Sequence, residues 1–324
     1  MASPEMETSR RAFLRRGAPA ALGALVRDVA GRDAETDRAA SGDLLRLGRR
    51  AMGCRFEIML PAAPQAPVEA AREALDLVDA LERQMTVYSE ESEISRINRT
   101  AAAGPVPVEP RLFDLLRTAE RLSAETGGAF DITAALPPAG MGRVRLEEAE
   151  RTIAFDREGV RLDLAAIGKG HALDRAAGLL AARGVWSALV HGGHSSVRAI
   201  GRPPWDDAWT VRVQHPLQPD RAVAVLRLRD RAMGTSAAGA AQGRHLLDPR
   251  TGRPSEGPVG ATVVAPTAAE ADALSTACCV MSVEETRAYC GRRPELGALL
   301  VETTDGETRA SAIGLSADEV EVIR

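Results

Sequence analysis

Lysine and asparagine are almost missing from this chain of 324 residues. Of its 41 basic side chains only Lys169 is a lysine, and Asn98 is the single asparagine. Aromatic residues make up 3%, so the core has to be built from Leu, Val, Ile and Ala. Cys54, Cys278, Cys279 and Cys290 form no CxxC pair and no Cys/His spacing of a zinc site. Cys278 and Cys279 fall in an apolar stretch and read as small buried residues. No excess of positive charge exists: 45 acidic residues outweigh the basic ones, for a net charge of −4, which excludes a basic nucleic-acid binder. No apolar run is long enough to span a membrane. What remains, 45% hydrophobic and 27% charged residues, is ordinary globular composition and excludes a disordered or collagen-like chain.

The scarcity of lysine makes Lys169 informative. Where arginine has replaced lysine almost throughout, a surviving ammonium marks a place for a compact point charge rather than a planar fork. At the amino terminus, Ser9-Arg-Arg-Ala-Phe-Leu-Arg-Arg16 followed by the short apolar run Gly17 to Val26 resembles a twin-arginine export signal. Residues 1–30 read as that signal segment, residues 31–45 as a polar linker, and residues 46–324 as one catalytic domain. The expected location is therefore the periplasm or the outer face of the cytoplasmic membrane, with a mature chain that has no transmembrane segment.

Periodicity predicts a mixture of helices and strands. Arg50 to Leu60 alternates as a strand, with Phe56, Ile58 and Leu60 on one face. Helices are expected over 66–85, 92–98, 110–125 and 169–183, and two adjacent ones over 268–290. Residues 143–163 read as two strands around the turn Asp156-Arg-Glu-Gly159. Further strands are expected at 188–191, 209–214, 221–228, 260–265 and 297–303. Gly234 to Gly243 is too rich in glycine and alanine to pack a core.

Familiar motifs fail on inspection. Ile167-Gly-Lys-Gly-His171 lacks both the leading Gly and the trailing Ser/Thr of a Walker A loop, and Leu173 stands where a Rossmann fingerprint needs its third Gly. One helix start is firm: Thr267-Ala-Ala-Glu270 has the form of a capping box. It places Asp272 and Thr276 four apart on one face. A carboxylate and a hydroxyl there suit Mg²⁺, which takes hard oxygen ligands and keeps positions open for phosphate oxygens. The alternative is a solvated Asp272 and a Thr276 bonded back to its own helix. His245, at the edge of the turn sequence Asp248-Pro-Arg-Thr-Gly252, is able to take a proton near neutral pH or to serve as a structural histidine.

The order of motifs is more specific than any one of them. The chain runs through Ala51-Met-Gly-Cys54, Thr86-Val-Tyr-Ser89, Ser92-Glu-Ile-Ser-Arg-Ile-Asn98 and Thr126-Gly-Gly-Ala-Phe-Asp-Ile-Thr133. Next come Asp163-Leu-Ala-Ala-Ile-Gly-Lys-Gly-His-Ala-Leu-Asp174, Ala188-Leu-Val-His-Gly-Gly193, His245-Leu-Leu-Asp-Pro-Arg-Thr-Gly252 and Ala265 to Thr276. This series resembles the FAD:protein FMN transferase family, the ApbE flavin transferases, over about residues 46–315.

The resemblance implies an α+β fold with mixed sheets, in which FAD lies between two lobes and Mg²⁺ sits at its pyrophosphate. It implies transfer of FMN from FAD to a threonine hydroxyl of a client flavoprotein carrying a Ser/Thr flavinylation motif, with release of AMP. By position, Met52, Tyr88, Ala129, Phe130, Asp131, Asp163, Lys169 and Leu247 are expected to contact FAD. Asp272, Thr276 and the carbonyl of Ala166 are expected to hold the metal, and His245 to act as the base. The chain departs from the family pattern at Cys54, often Thr, and at Gly168, often Ala. It departs again at His191-Gly-Gly-His194, where Asn-x-Gly-Gly-Asp is common, and in the short segment between Thr235 and His245. Two rivals stay open on sequence alone: a Mg²⁺-dependent FAD pyrophosphatase releasing FMN and AMP, and a non-catalytic exported flavin-binding protein.

Overall fold

The computed structural model describes residues 26–27, 44–134, 140–237, 246–304 and 307–323. The expected export segment and linker fall, apart from Val26–Arg27 and the last two residues of the linker, outside the described residues. In chain order the elements are β1 (Val26–Arg27), β2 (Leu44–Ala51), β3 (Cys54–Pro61), α1 (Val68–Met85), α2 (Glu93–Thr100), β4 (Val106–Pro107) and α3 (Pro110–Glu125). There follow β5 (Val144–Glu147), β6 (Thr152–Phe155), α4 (Gly168–Ala182), β7 (Ala188–Gly192), β8 (Ser196–Ile200), β9 (Trp209–Gln214) and β10 (Ala222–Leu228). The last are β11 (Ala232–Ala237), β12 (Gly260–Ala265), α5 (Ala268–Cys278), α6 (Val283–Arg292), β13 (Gly297–Thr304), β14 (Glu307–Ile313) and β15 (Val320–Val322). No described helix is long and apolar enough to cross a membrane.

Eight strands form the central sheet in the order β14-β13-β12-β11-β8-β7-β3-β2. A four-stranded sheet, β1-β9-β10-β15, and a small one, β4-β6-β5, accompany it. The α+β class holds. The sheets are not mixed as expected, because every strand pair among the described residues is antiparallel. Hairpins such as β2–β3 and β7–β8 need only a few connecting residues, and such short links impose antiparallel pairing.

Alternation along the central strands divides the apolar residues between two cores. Phe56, Ile58 and Leu60 of β3 and Ala298 and Leu300 of β13 face the helices. Met59, Leu299 and Val301 face the other way, against Trp209, Val211 and Leu226 of the four-stranded sheet. The layers are therefore helices, central eight-stranded sheet, four-stranded sheet.

Three more sequence expectations need correction. The Arg50–Leu60 run is broken by a two-residue turn: Ala51 pairs with Cys54, and Met52 (φ 50°) and Gly53 (φ 72°) between them are both left-handed. That is the type I′ geometry that suits the twist of a hairpin. The second hairpin turns at 148–151, where Arg151 takes φ 48°, rather than at Asp156-Arg-Glu-Gly159. The Gly234 segment also differs from expectation, since β11 is an inner strand between β8 and β12. All four cysteines are free.

Candidate active site

Helix α4 opens at Gly168 without a local side-chain cap. Its head is capped from α5: the Gly170 amide donates to Asp272 Oδ2 at 2.8 Å. This is the amide four residues after Ala166. Lys169 Nζ stands 3.9 Å from the same oxygen, and Ser196 hydrogen-bonds the carboxylate through its side chain. Asp272 is 5% exposed, so it is not the solvated residue that spacing alone allowed. Burial pushes its carboxyl above the usual range, while Lys169, Ser196 and the Gly170 amide favour the charged form. One turn on, Thr276 Oγ1 lies 3.3 Å from the Asp272 carbonyl and 3.1 Å from Ser236 Oγ. Thr276 is bonded back to its helix, yet a donating hydroxyl retains its lone pairs.

The start of β3 borders this cluster. Gly193 in the β7–β8 turn packs on Cys54, where a Cβ would meet the Cys54 Cβ at 3.2 Å. Burial pushes the Cys54 thiol up to about 11; the Lys169 charge opposes this, and Asp272 and Glu82 add to it. Glu82 Oε1 accepts the Met52 amide at 2.7 Å, and the Met85 side chain lies 3.7 Å from where a Cβ on Gly168 would sit. Met52, the end of α1 and the heads of α4 and α5 thus meet in one place. His191 holds the adjoining turn: its Nδ1 is 3.0 Å from Gly193 O and its Nε2 3.0 Å from Glu57 Oε2.

A second group forms around Asp131. Its Oδ1 accepts the Thr133 amide and hydroxyl, each at 2.7 Å, and its Oδ2 the Met141 amide at 3.0 Å. The Asp163 amide donates to Ile132 O at 2.7 Å, and Asp163 Oδ1 accepts from Ala165 N at 2.9 Å, an Asx turn leading into α4. Gly127, Gly128, Asp131, Met141 and Arg250 help line a cleft of about 540 Å³. Leu247, 48% exposed, begins the neighbouring turn and bridges to Pro254. Ala129 and Phe130 are buried in the core, so only their backbone is free to meet a ligand. Tyr88 is 84% exposed just beyond α1. His245 lies outside the described residues.

Sequence reasoning missed Asp174. Its carboxylate accepts the Ala268 and Ala269 amides at 2.8 and 2.9 Å, closing the head of α5. The capping box itself is one-sided: Thr267 accepts the Glu270 amide at 3.2 Å, but Glu270 turns to Arg121 and Arg293 at 2.7 and 3.1 Å. Asp174 stands four residues after Gly170, a spacing readable in the sequence; its partners are not.

The donor set fits a hard divalent cation. Asp272 offers a buried carboxylate, Thr276 a hydroxyl one turn away, and Ala166 a carbonyl at the head of α4. Mg²⁺ is commonly held by one or two carboxylates with substrate phosphates completing its shell. Among the described residues, no three His, Cys, Asp or Glu side chains are grouped to cage a metal by themselves.

The sequence profile of the ApbE family matches residues 52–137 and 132–300. The chain belongs to the ApbE family. It is 27% identical over 268 residues to the FAD:protein FMN transferase of Escherichia coli K12, covering 71% of this chain and 76% of the relative. It is 29% identical over 306 residues to the FAD:protein FMN transferase of Treponema pallidum, covering 80% and 84%. The fold matches the ApbE protein of Thermotoga maritima with a TM-score of 0.73 at 26% identity, over 83% of this chain and 97% of that one. It matches the flavin transferase ApbE of Vibrio cholerae with a TM-score of 0.74 at 24% identity, over 84% and 98%.

One electrostatic consequence concerns the fold around this ApbE site. His171, beside Gly170, is buried. Burial, with Arg175 and Arg111 and against Glu109, lowers its pKa from 6.5 to about 4. The unfolded chain therefore takes a proton near pH 6.5 that the native state refuses until about pH 4. The stability from neutral His171 is complete above pH 6.5 and is lost as the pH falls toward 4, by up to about 3 kcal/mol. Urea unfolding at pH 7 and 4.5 should show the chain losing more stability on acidification than His171→Gln does. Equal losses would contradict the assignment.

Proposed function

We propose that the chain is a Mg²⁺-dependent FAD:protein FMN transferase that moves FMN from FAD to a threonine hydroxyl of a client flavoprotein. The observation that carries the reading is the meeting of Lys169, Gly170, Asp272 and Thr276 at the heads of α4 and α5. Membership of the ApbE family and the names of the relatives support it. The acceptor hydroxyl oxygen bonds to the phosphorus of the FMN half, the bond from that phosphorus to the bridging oxygen breaks, and AMP leaves with the bridging oxygen. His245 takes the hydroxyl proton, help worth about 10²–10⁴-fold. Lys169, a compact ammonium, suits a pyrophosphate. Asp272, Thr276 and the Ala166 carbonyl would hold Mg²⁺, which neutralises charge on the transferred and leaving phosphates. Met52, Tyr88, Asp131, Asp163, Leu247 and the backbone of Ala129 and Phe130 would hold the rest of FAD. The twin-arginine segment supports an exported enzyme.

The test incubates the full chain with FAD, Mg²⁺ and a candidate acceptor domain. It reads covalent flavin fluorescence on a denaturing gel together with AMP. Labelled acceptor that depends on its threonine is expected. FMN and AMP without a labelled acceptor would favour hydrolysis, and bound FAD with neither product would favour a binding protein. His245→Ala is expected to retain FAD binding and lose transfer; retained transfer would remove His245 as the base.

A further inference from the structure

Helices α4 and α5 exchange carboxylates. Asp272 of α5 accepts the Gly170 amide in the first turn of α4, and Asp174 of α4 accepts the first two amides of α5, Ala268 and Ala269. Neither helix head is closed wholly by its own side chains. The backbones touch at the same point: a Cβ on Gly170 would fall 2.0 Å from Ala268 O. Arg198 of β8 completes the junction, with Nε 3.9 Å from Asp174 Oδ1 and its guanidinium donating to the Pro266 carbonyl just before α5. Asp174 therefore fixes where α5 begins relative to α4, and so where Asp272, one turn into α5, stands relative to Gly170 and Lys169.

We propose that Asp174 is a positioning residue for the Asp272 carboxylate, setting its orientation and with it the affinity of the site for Mg²⁺. The proposal rests on the metal reading above. Residues that orient metal ligands typically change affinity about 10–100-fold when altered. A purely structural cap on α5 would change stability alone, and Thr267 supplies the comparison, since its hydroxyl accepts the Glu270 amide of the same helix.

The experiment uses the full chain, Asp174→Asn and Thr267→Ala. Flavin fluorescence gives the Mg²⁺ concentration that half-saturates FAD binding, and amide hydrogen exchange at Gly170 is followed without metal. Asp174→Asn is expected to raise the Mg²⁺ midpoint about tenfold or more, to leave FAD affinity at saturating Mg²⁺ unchanged, and to speed exchange at Gly170. Thr267→Ala is expected to lower the melting temperature without moving the Mg²⁺ midpoint. If Asp174→Asn does not fold, Arg198→Gln replaces it, with a smaller shift in the same direction. A midpoint that moves no further than with Thr267→Ala would overturn the proposal while the metal reading stood. If Mg²⁺ affected neither FAD binding nor turnover in the unaltered chain, both would fall.

Discussion

Replacing Asp272 with asparagine is expected to abolish FAD cleavage while leaving the fold intact. The substitution keeps the shape of the side chain and an oxygen that can accept the Gly170 amide. What it removes is the negative charge, held in a site that is 5% exposed and faces a single nearby lysine. Burial raises the pKa of this carboxyl, which means that ionisation at neutral pH costs the folded state free energy. A neutral amide is spared that cost, so the melting temperature should stay level or rise. Function should move the other way. Metal neutralisation of the transferred phosphate is worth several kcal/mol, on the order of a 10³-fold loss in rate. Asp272→Ala is less informative, because it also strands a buried amide at a cost of about 1–3 kcal/mol. The measurement is AMP release over a range of Mg²⁺ concentrations beside a thermal melt. Turnover within tenfold of the unaltered chain, with an unchanged response to Mg²⁺, would overturn the proposed role of Asp272 in holding Mg²⁺.

Much of this arrangement is legible in the sequence because it is local. Thr267 with Glu270 marks the start of α5, and a helical spacing then puts Asp272 and Thr276 on one face. Lys169 stands out through composition, and the structure places its ammonium 3.9 Å from Asp272. What stayed hidden depends on distant partners. Asp174 binds amides more than ninety positions away, and no periodicity announces that. Glu270 satisfies half of a capping box and then joins Arg121 and Arg293 instead, because two guanidiniums outweigh one backbone amide as partners for a nearly buried carboxylate. Ala129 and Phe130 lie in a motif with the look of a binding loop, yet their side chains are core. A sequence motif of this kind records the path of the backbone as much as the identity of the contacts.

Gly234→Ala is expected to destabilise the fold markedly through the addition of a single methyl group. Gly234 reads as part of a loop because glycine and small polar residues surround it. It is small because the backbone of α5 lies directly over β11. A Cβ at this position would fall 2.4 Å from both C and O of Ala271 and 2.5 Å from Asp272 N. These are backbone atoms, with no flexible end to swing aside, so the strand or the helix must move. Overpacking of a tight core costs about 1–3 kcal/mol, and more where the backbone shifts, which corresponds to a fall in melting temperature of roughly 2–5 °C in a domain of this size. Gly178 supplies the control. It lies on the exposed side of α4, where an added Cβ would have nothing within 4 Å, so Gly178→Ala should stabilise by about 0.5–1 kcal/mol through helix propensity. Opposite signs for one chemical change would establish that the contact over Gly234, rather than glycine flexibility, sets its identity. A melting temperature unchanged in Gly234→Ala would mean that α5 is free to lift, and the placement of Asp272 over the head of α4 would lose its mechanical support.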